Sequence, residues 1–333
     1  MPVRPIRIII YGLGTMGRLS AAYAHGKGAE IVAVYLRTTT GKDFSAPELA
    51  SAAICTPEVP FETHQADVIL VTHGTTIAQL HEPAARAARA GLDVLTIAED
   101  AFEPFYPDAE AAQCRELDAL FRVHGKSMIS VGVQDSFWYA QPMAFLSCAQ
   151  NVRRLIGRNT CDLSLFGTAG THGHGIGLTP AEFEAGGHAE PGEGRGIFEV
   201  ALRPLVRGLG LRVVSSVRRN LPVLADEDID LPRQGLFIAK GTARGHAEHV
   251  VFTLSNGMVA EGEFHMCYMH KGETPYNEWV IEGTPSMNMR SDNFHGDVIT
   301  SAAVVNRIPD VLAAPAGFLS VDQLPPARHY TRF

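Results

Sequence analysis

The sequence predicts an α/β fold in two parts, an N-terminal Rossmann domain on a doubly wound parallel sheet and a second α+β domain on a mixed or antiparallel sheet. Three observations predict it. Short apolar runs alternate with helical segments over the first half of the chain. A Gly-x-Gly-x-x-Gly segment directly follows the first apolar run. After about residue 150, apolar and polar residues alternate in longer runs, which is typical of antiparallel strands.

The strands predicted in the first half are short and apolar, as expected for strands buried on both faces. They cover residues 6–11, 29–36, 66–72, 93–97 and 128–133. Helices are predicted between them, over residues 18–25, over residues 77–90 and from Pro107 onward. Gly91 is placed to end the second of these helices as a C′ glycine.

The second half is predicted to hold strands at 249–254 and 258–269, joined by Asn256-Gly257, a pair that favours a hairpin turn. The glycine-rich segments 167–177 and 186–196 are predicted as long loops. A helix over Asp297–Asn306, ended by Pro309, is predicted near the C-terminus, and the C-terminal helical segment of about 297–312 is expected to pack back on the first half. The predicted domains are therefore 1–150 and 151–296.

Composition excludes several classes of protein. The chain of 333 residues is long enough for two domains, and its net charge of −8, with scattered Lys and Arg, disfavours nucleic acid. Its five cysteines form no CxxC pair, which indicates reduced thiols in the cytoplasm and neither a disulfide framework nor a zinc site. No apolar stretch is long enough for a membrane helix, and the short basic start is too brief for a signal peptide.

The glycine segment predicts a dinucleotide site, because it follows a strand and opens a helix. Gly12 permits the tight turn, Gly14 lets the backbone approach a pyrophosphate, and Gly17 allows close packing of helix and strand. The helix N-terminus then offers N–H donors to the phosphates. The predicted contact residues are Gly12, Leu13, Gly14, Thr15, Met16 and Gly17. The alternative, a glycine-rich turn without a ligand, is disfavoured by this context. Residues 1–150 are therefore predicted to bind the dinucleotide.

The end of the second strand indicates which dinucleotide is bound. An enzyme that prefers NAD usually has an acidic residue there for the ribose 2′-hydroxyl. This chain has Arg37, Thr38 and Thr39 instead, and a guanidinium can pair with a 2′-phosphate in fork geometry. NADP(H) is therefore the predicted cofactor, with additional use of NAD(H) left open. The alternative is that Arg37 is an ordinary solvated surface residue.

Two later strand ends supply further candidates. Gly74, Thr75 and Thr76 follow the strand 66–72, where small residues let the backbone pass beside the cofactor. An N-cap by Thr75 or Thr76 explains them equally well. Glu99 follows the strand 93–97 at the edge where ligands of open α/β sheets bind, so its carboxyl is the candidate acid/base. The alternative is that Glu99 or Asp100 merely caps the following segment.

Four segments together resemble one family: Gly12–Gly17 (GLGTMG), Ile97–Asp100 (IAED), Gly132–Tyr139 (GVQDSFWY) and Thr300–Asp310 (TSAAVVNRIPD). They are similar to the native amine dehydrogenases, relatives of 2,4-diaminopentanoate dehydrogenase and, more distantly, of dihydrodipicolinate reductase. The resemblance covers most of the chain and is looser between about Thr168 and Gly245. The paired-histidine and lysine motif of dihydrodipicolinate reductase is missing, since Thr171-His-Gly-His174 does not match it.

The resemblance implies an NAD(P)-dependent amine dehydrogenase that carries out reversible reductive amination of small ketones or aldehydes with ammonia. It implies Glu99 as the acid/base and a homodimer formed through the sheet of the second domain, which is also expected to bind substrate. We weigh two alternatives. One is a dehydrogenase or reductase of an amino or diamino acid such as 2,4-diaminopentanoate. The other is an NADP(H)-binding sensor without turnover, which would need no placed acid/base.

Further residues are candidates for the site only because of their positions in the sequence. Gln134, Phe137 and Trp138 lie near the junction of the two halves, where aromatic rings are expected to wall a small apolar pocket; core packing is the alternative for each ring. Asn306 is a candidate for the nicotinamide carboxamide. His172 is interpreted as a substrate-pocket residue, and no metal is expected, because His172-Gly-His174 lacks a third ligand at convincing spacing.

Overall fold

The computed structural model describes residues 4–164, 173–192, 194–232 and 234–333. The chain divides into two compact units. The first consists of Met1–Ala140 and Gly296–Phe333, and the second of Gln141–His295. The first unit therefore ends somewhat before the predicted boundary at residue 150 and takes in the segment after Gly296.

The elements are numbered along the chain. The strands are β1 (Arg7–Tyr11), β2 (Glu30–Tyr35), β3 (Ala53–Cys55), β4 (Val68–Val71), β5 (Asp93–Thr96), β6 (Ser127–Ser130), β7 (Gln150–Asp162), β8 (Val213–Leu224), β9 (Ile229–Leu231), β10 (Leu236–Ile238), β11 (Ala243–Leu254), β12 (Val259–Cys267), β13 (Tyr276–Thr284), β14 (Met287–Asp292) and β15 (Gly317–Leu319). The helices are α1 (Thr15–Gly26), α2 (Ile77–Arg89), α3 (Ala111–Val123), α4 (Gln141–Leu146), α5 (Pro180–Ala185), α6 (Ile197–Gly208) and α7 (Gly296–Leu312).

The sheet of the first unit has the strand order β15-β6-β5-β4-β1-β2-β3 within the described residues, and every pair in it is parallel. From β1 the chain runs outward to β2 and β3 on one side and to β4, β5 and β6 on the other. This is the predicted doubly wound sheet, so the fold class is confirmed. Strands β4, β5 and β6 are wholly buried, which explains why they are continuous apolar or small-residue runs.

Helices cover this sheet as the amphipathic pattern predicts. α2 ends before Gly91, whose φ of +72° suits a C′ glycine. α7 packs against α1, with Ser301 Oγ 3.5 Å from the carbonyl oxygen of Met16. The prediction that Pro309 ends α7 is wrong, because the helix continues to Leu312. Buried residues on both sides of the proline, including Ile308 and Val311, hold this last turn against the core.

The second unit is built on a mixed sheet with the order β14-β13-β7-β12-β11-β8 in the described part of the chain. β7 and β12 are parallel, and the other pairs are antiparallel. The predicted hairpin at Asn256-Gly257 joins β11 to β12. α6 covers one face of the sheet through Phe198, which lies where a Cβ on Gly157 or Gly262 would be. Glu248 of β11 accepts a hydrogen bond from the backbone N–H of Phe198 at 3.3 Å and so caps α6.

Two further features of the fold concern membrane-spanning helices and cysteines. Among the described residues, none of the helices combines the length and the apolar character needed to cross a membrane. All five cysteines are free thiols, three of them buried.

Candidate active site

The ends of five strands of the first unit lie in one row. Tyr35 pairs with Tyr11, Tyr11 with Val71, Val71 with Thr96, and Thr96 with Ser130. Because these strands are parallel, the segments that follow them meet at the same edge of the sheet. Neighbouring strands are about 4.8 Å apart, so the segment after β5 lies roughly 10 Å from the segment after β1. This edge therefore brings together the glycine turn and the residues after β2, β4 and β5.

The glycine turn is held tightly against the sheet. Gly12 has a φ of +102°, which disfavours other residues, and its N–H donates to the carbonyl of Tyr35 at 3.0 Å. The hydroxyl of Thr72 donates to the carbonyl of Gly12 at 2.7 Å. A Cβ on Gly17 would lie 2.0 Å from that carbonyl oxygen, so only glycine fits there. Thr72 was not identified from the sequence, because nothing in the sequence shows that a threonine at a strand end hydrogen-bonds to a neighbouring turn.

Gly14 differs from its two partners. It is the N-cap residue of α1, no side chain caps this helix, and a Cβ there would meet no atom within 4 Å. The first-turn N–H groups of α1, including those of Thr15 and Met16, have no partner within the helix and point beyond its N-terminus. Leu13 is buried beneath the turn. Free N–H groups at a helix N-terminus, beside a glycine that has no Cβ to block the approach, can bind a pyrophosphate.

The residues after β2 are exposed and open to a ligand from solvent. Arg37, Thr38 and Thr39 all face solvent. The charge of Arg37 contributes to lowering the pKa of the His73 imidazole, although burial of the ring is the larger cause. Arg37 and His73 follow β2 and β4, the two strands that flank β1. No motif in the sequence marks His73, because its place beside the glycine turn depends on the tertiary fold.

The segment after β4 is a helix cap. The Thr76 hydroxyl accepts a hydrogen bond from the N–H of Gln79 at 3.3 Å, and the Gln79 side chain accepts one from the N–H of Thr75 at 2.9 Å. Of the two alternatives for Thr75 and Thr76, capping by Thr76 is therefore present. Gly74 has a φ of +75°, and a Cβ there would lie 2.7 Å from the Gln79 side-chain oxygen. A cofactor contact by this segment stays a prediction.

Glu99 begins a single 3₁₀ turn directly after β5. Ala98 is the N-cap of this turn and no side chain caps it, so Glu99 is not a capping residue. Backbone groups of this segment are hydrogen-bonded to the segments on both sides of it. The N–H of Asp100 donates to the carbonyl of Thr75 at 3.0 Å, and the hydroxyl of Ser130 donates to the carbonyl of Ala98 at 2.7 Å. These bonds fix the Glu99 backbone at the same edge as the glycine turn.

The Glu99 carboxyl has the electrostatics of a proton-transfer group. The side chain is partly buried, and this burial raises its pKa above the ordinary value for glutamate. The neighbouring carboxylate of Asp100 raises it further, because two negative charges repel. A carboxyl with a raised pKa can both hold and release a proton nearer to neutral pH.

The segment after β6 forms a π-helix over Gln134–Ala140, which the sequence did not predict. Trp138 is only 2% exposed and Gln134 is 7% exposed, so both are packed inside the protein. The burial of Trp138 favours the alternative of core packing, whereas Phe137 stays partly exposed. The N–H of Val133 donates to the hydroxyl of Thr300 at 3.3 Å, which joins the start of this segment to α7. Substrate contacts by these residues stay predictions.

A buried ion network fixes the π-helix. Arg307 of α7 makes two hydrogen bonds to the carboxylate of Asp135, at 2.6 and 2.8 Å. It also bonds to Asp310 at 3.0 Å, and all three side chains are buried. The hydroxyl of Tyr330 donates to Asp310 at 2.8 Å, which brings the C-terminal segment into the network. Asp135 is therefore a structural ion-pair partner.

The remaining candidates have other surroundings. The side-chain oxygen of Asn306 accepts a hydrogen bond from the N–H of Tyr330 at 3.1 Å, so this oxygen holds the C-terminal segment. His172 lies outside the described residues. Its neighbour His174 stacks on His246 in the second unit, with their Nδ1 atoms 3.1 Å apart. Cofactor binding by Asn306 and substrate binding by His172 stay predictions.

One cluster in the second unit has the composition of a metal site. The side chains of His249, Glu261 and Glu263 offer ligand atoms within 4.8 Å of one another. Both carboxylates are already paired, however, Glu261 with Arg154 at 2.7 Å and Glu263 with Arg158 at 3.1 Å. The arginines neutralise the charge that would attract a cation.

These features define the chain as a protein with the Rossmann-type, NAD-binding fold of dehydrogenases. Residues 143–331, more than half of the chain, match the family described as the 2,4-diaminopentanoate dehydrogenase C-terminal domain. The chain belongs to this family, which confirms the resemblance noted from the sequence.

Individual relatives agree with this assignment. A 2,4-diaminopentanoate dehydrogenase of Acetoanaerobium sticklandii is 24% identical over 97% of this chain and 94% of its own. The solved structure of an amine dehydrogenase from Mycobacterium smegmatis has a TM-score of 0.82 and 26% identity, covering 98% of both chains. A scyllo-inositol dehydrogenase from Lactobacillus casei, solved with NAD(H) and scyllo-inositol, shares the fold alone: the TM-score is 0.50 at 15% identity, over 86% of this chain and 76% of that one.

Proposed function

We propose that this protein is an NAD(P)-dependent amine dehydrogenase that catalyses reversible reductive amination of small ketones or aldehydes with ammonia. The observation that carries the proposal is the partly buried Glu99 carboxyl, with its raised pKa, at the sheet edge that also holds the glycine turn. The similarity to a mycobacterial amine dehydrogenase over 98% of the chain supports the choice of reaction. We expect the protein in the cytoplasm, where its free thiols stay reduced.

The residues of the first unit fit a dinucleotide. The uncapped N-terminus of α1 and the open side of Gly14 would hold the pyrophosphate. Arg37, with Thr38 and Thr39, would bind the 2′-phosphate of NADP(H), and NAD(H) would bind without that contact. When bound, the nicotinamide supplies hydride to an imine carbon or accepts it from an amine.

Glu99 would carry the proton transfers. In the aminating direction its carboxylate takes a proton from ammonium, and the ammonia formed adds to the substrate carbonyl carbon. The Glu99 carboxyl then gives the proton to the hydroxyl of the carbinolamine, which leaves as water. The ionised carboxylate stabilises the iminium cation that remains. A pKa raised by burial suits both halves of this cycle, because the group must accept and return a proton at the same pH.

The test is to incubate the protein with NADPH, ammonium and a panel of small ketones, aldehydes and keto acids. Glu99→Gln should slow reductive amination by about 10²–10⁴-fold, the usual loss for a general acid–base, while NADPH still binds. Asp100→Asn is the matched control. It should retain most activity and move the acidic limb of the pH–rate profile to lower pH, because Asp100 raises the pKa of Glu99. Near wild-type amination by Glu99→Gln would remove Glu99 from the mechanism.

A second candidate function is oxidation of an amino or diamino acid such as 2,4-diaminopentanoate. The family match over residues 143–331 and the relative from Acetoanaerobium sticklandii favour it. The same panel separates the two functions, since preferred turnover of keto acids or diamino acids would support this alternative. Binding of NADPH without turnover of any panel member would support the sensor.

The protein is further proposed to form a homodimer through the sheet of the second unit. The face of this sheet opposite α6 carries ion pairs across neighbouring strands, such as Arg154 with Glu261 and Arg158 with Glu278. Rows of opposite charge of this kind can pair with the same face of a second copy. Sedimentation analysis tests the proposal, and a monomer at micromolar concentration would contradict it.

A further inference from the structure

His73 lies at the point where the sheet of the first unit changes direction. It follows β4, which is next to β1, and β1 is where the two halves of the sheet begin. A Cβ placed on Gly12 would lie 3.2 Å from the Cβ of His73. His73 is therefore in direct contact with the glycine turn, at the switch point where dinucleotides bind in folds of this class.

The orientation of the imidazole leaves one nitrogen for a ligand. The ring packs against the phenol ring of Tyr11, with centroids 5.0 Å apart. The Nδ1 atom of His73 is buried and has no hydrogen-bond partner in the described part of the chain. Nε2 is therefore the ring nitrogen that remains to donate to a bound group.

Arg37 approaches the same place from the other side of β1. It follows β2, and its charge acts on the His73 ring, whose pKa is lowered first by burial and then by Arg37. Arg37 forms no ion pair among the residues that the structure describes. A guanidinium and an imidazole thus follow the two strands that flank β1, and within the described residues no carboxylate is paired to the guanidinium. This arrangement is unfavourable by itself and becomes favourable when an anion binds between the two groups.

We propose that His73 and Arg37 bind one group together, the 2′-phosphate of NADP(H), with Nε2 of His73 as the second donor. The inference rests on the proposed function, in which the loop of Arg37 binds this phosphate. It adds His73, on the opposite side of β1, as a second residue that determines cofactor specificity. A phosphate has three oxygens that accept charge-assisted hydrogen bonds, so a guanidinium fork and an imidazole can bind it at the same time. The adenosine end of the cofactor would then be held from β2 and from β4.

The test uses ligands without nicotinamide, so that it does not depend on catalysis. Adenosine 2′,5′-bisphosphate carries the 2′-phosphate, adenosine 5′-monophosphate (AMP) is otherwise the same molecule without it, and calorimetry measures the affinity of each. His73→Asn removes the donor at the Nε2 position and should weaken binding of the bisphosphate about tenfold or more, with AMP unchanged. Arg37→Ala should show the same pattern. The double variant should lose less than the product of the single losses, because both side chains act on one phosphate.

Two further variants keep the result interpretable. His25→Asn, at an exposed position on α1, is the matched control and should bind both ligands as the wild type does. His73→Gln places an amide N–H close to the Nε2 position and should retain part of the affinity for the bisphosphate. Equal losses with His73→Asn and His73→Gln, together with a lowered melting temperature, would show that the ring serves packing against Tyr11 and would overturn the inference.

The remaining outcomes separate this inference from the proposed function. A wild-type protein that binds the two ligands equally overturns the NADP(H) assignment itself. A wild-type protein that prefers the bisphosphate, with His73→Asn unchanged, overturns the role of His73 alone. Equal weakening of both ligands by His73→Asn places the ring on the adenine or the 5′-phosphate and also overturns the inference.

Discussion

Gly14 and Gly17 stand three residues apart in the same turn, and the structure predicts opposite effects when each is replaced by alanine. The Cβ of Gly17→Ala would lie 2.0 Å from the backbone oxygen of Gly12 and 2.8 Å from the hydroxyl of Thr72. A backbone atom cannot rotate away, so α1 has to move off the sheet. The Cβ of Gly14→Ala would meet no atom within 4 Å, and its φ of −81° is ordinary for alanine.

The magnitudes follow from these contacts. Overpacking a well-packed site typically costs about 1–3 kcal/mol, and a clash with backbone belongs at the upper end. For a unit of this size, about 3 kcal/mol lowers the melting temperature by roughly 6–12 °C. Gly14→Ala should change stability by no more than about 0.5 kcal/mol. It should nevertheless weaken NADPH binding at least tenfold, because the methyl group occupies the approach of the pyrophosphate.

Thermal melting with and without NADPH, together with fluorescence titration of NADPH, measures both effects. Gly17→Ala should melt early in the absence of cofactor. Gly14→Ala should melt like the wild type but lose the stabilisation that saturating NADPH provides. The reasoning would be refuted if Gly17→Ala melted like the wild type, or if Gly14→Ala bound NADPH with unchanged affinity.

Three further predictions concern burial and charge. Burial raises the pKa of Glu248 to about 7, so the neutral form of this side chain stabilises the fold. This contribution is lost as the pH rises from about 4.5 through 7. In urea unfolding, the free energy of unfolding of Glu248→Gln should therefore increase by about 2 kcal/mol relative to that of the wild type between pH 5 and 8. Arg307→Met leaves Asp135 buried without its cation and Asp310 with only the exposed Arg328, and should cost about 3–5 kcal/mol, seen as a lowered melting temperature; unchanged melting would contradict the network. Trp138→Ala should cost about 3–5 kcal/mol, because the indole is 2% exposed, and stable folding with altered substrate range would instead support a pocket role.

The parallel sheet was predictable because its central strands are short apolar runs between amphipathic helices. Strands β3 and β15 were not predicted, since three residues such as Ala53–Cys55 or Gly317–Leu319 carry no readable period. The long strand β7 was also missed. On one face of β7, Arg154 and Arg158 bond to glutamates on β12. These polar residues depend on a neighbouring strand that is distant in sequence, so the local pattern of β7 does not show a strand.

For the site, position along the chain was enough to bring Glu99 to the edge of the glycine turn, because that edge follows from parallel strands alone. The neighbours of individual side chains could not be predicted in the same way. Asn306 bonds to Tyr330 only because the C-terminal segment returns to α7, and His73 approaches Gly12 only because β4 lies beside β1. Contacts of this kind depend on tertiary packing, and no spacing in the sequence indicates them.

The first unit is discontinuous, and this has a consequence for how the protein is made. β15 forms the edge of its sheet beside β6, and α7 packs on β5 and β6, yet the whole second unit is translated before either of them. The nascent chain therefore has to hold an unfinished nucleotide-binding sheet while Gln141–His295 leaves the ribosome. The second unit can complete its core first, and cofactor-binding competence should appear only after release of the segment through Leu319.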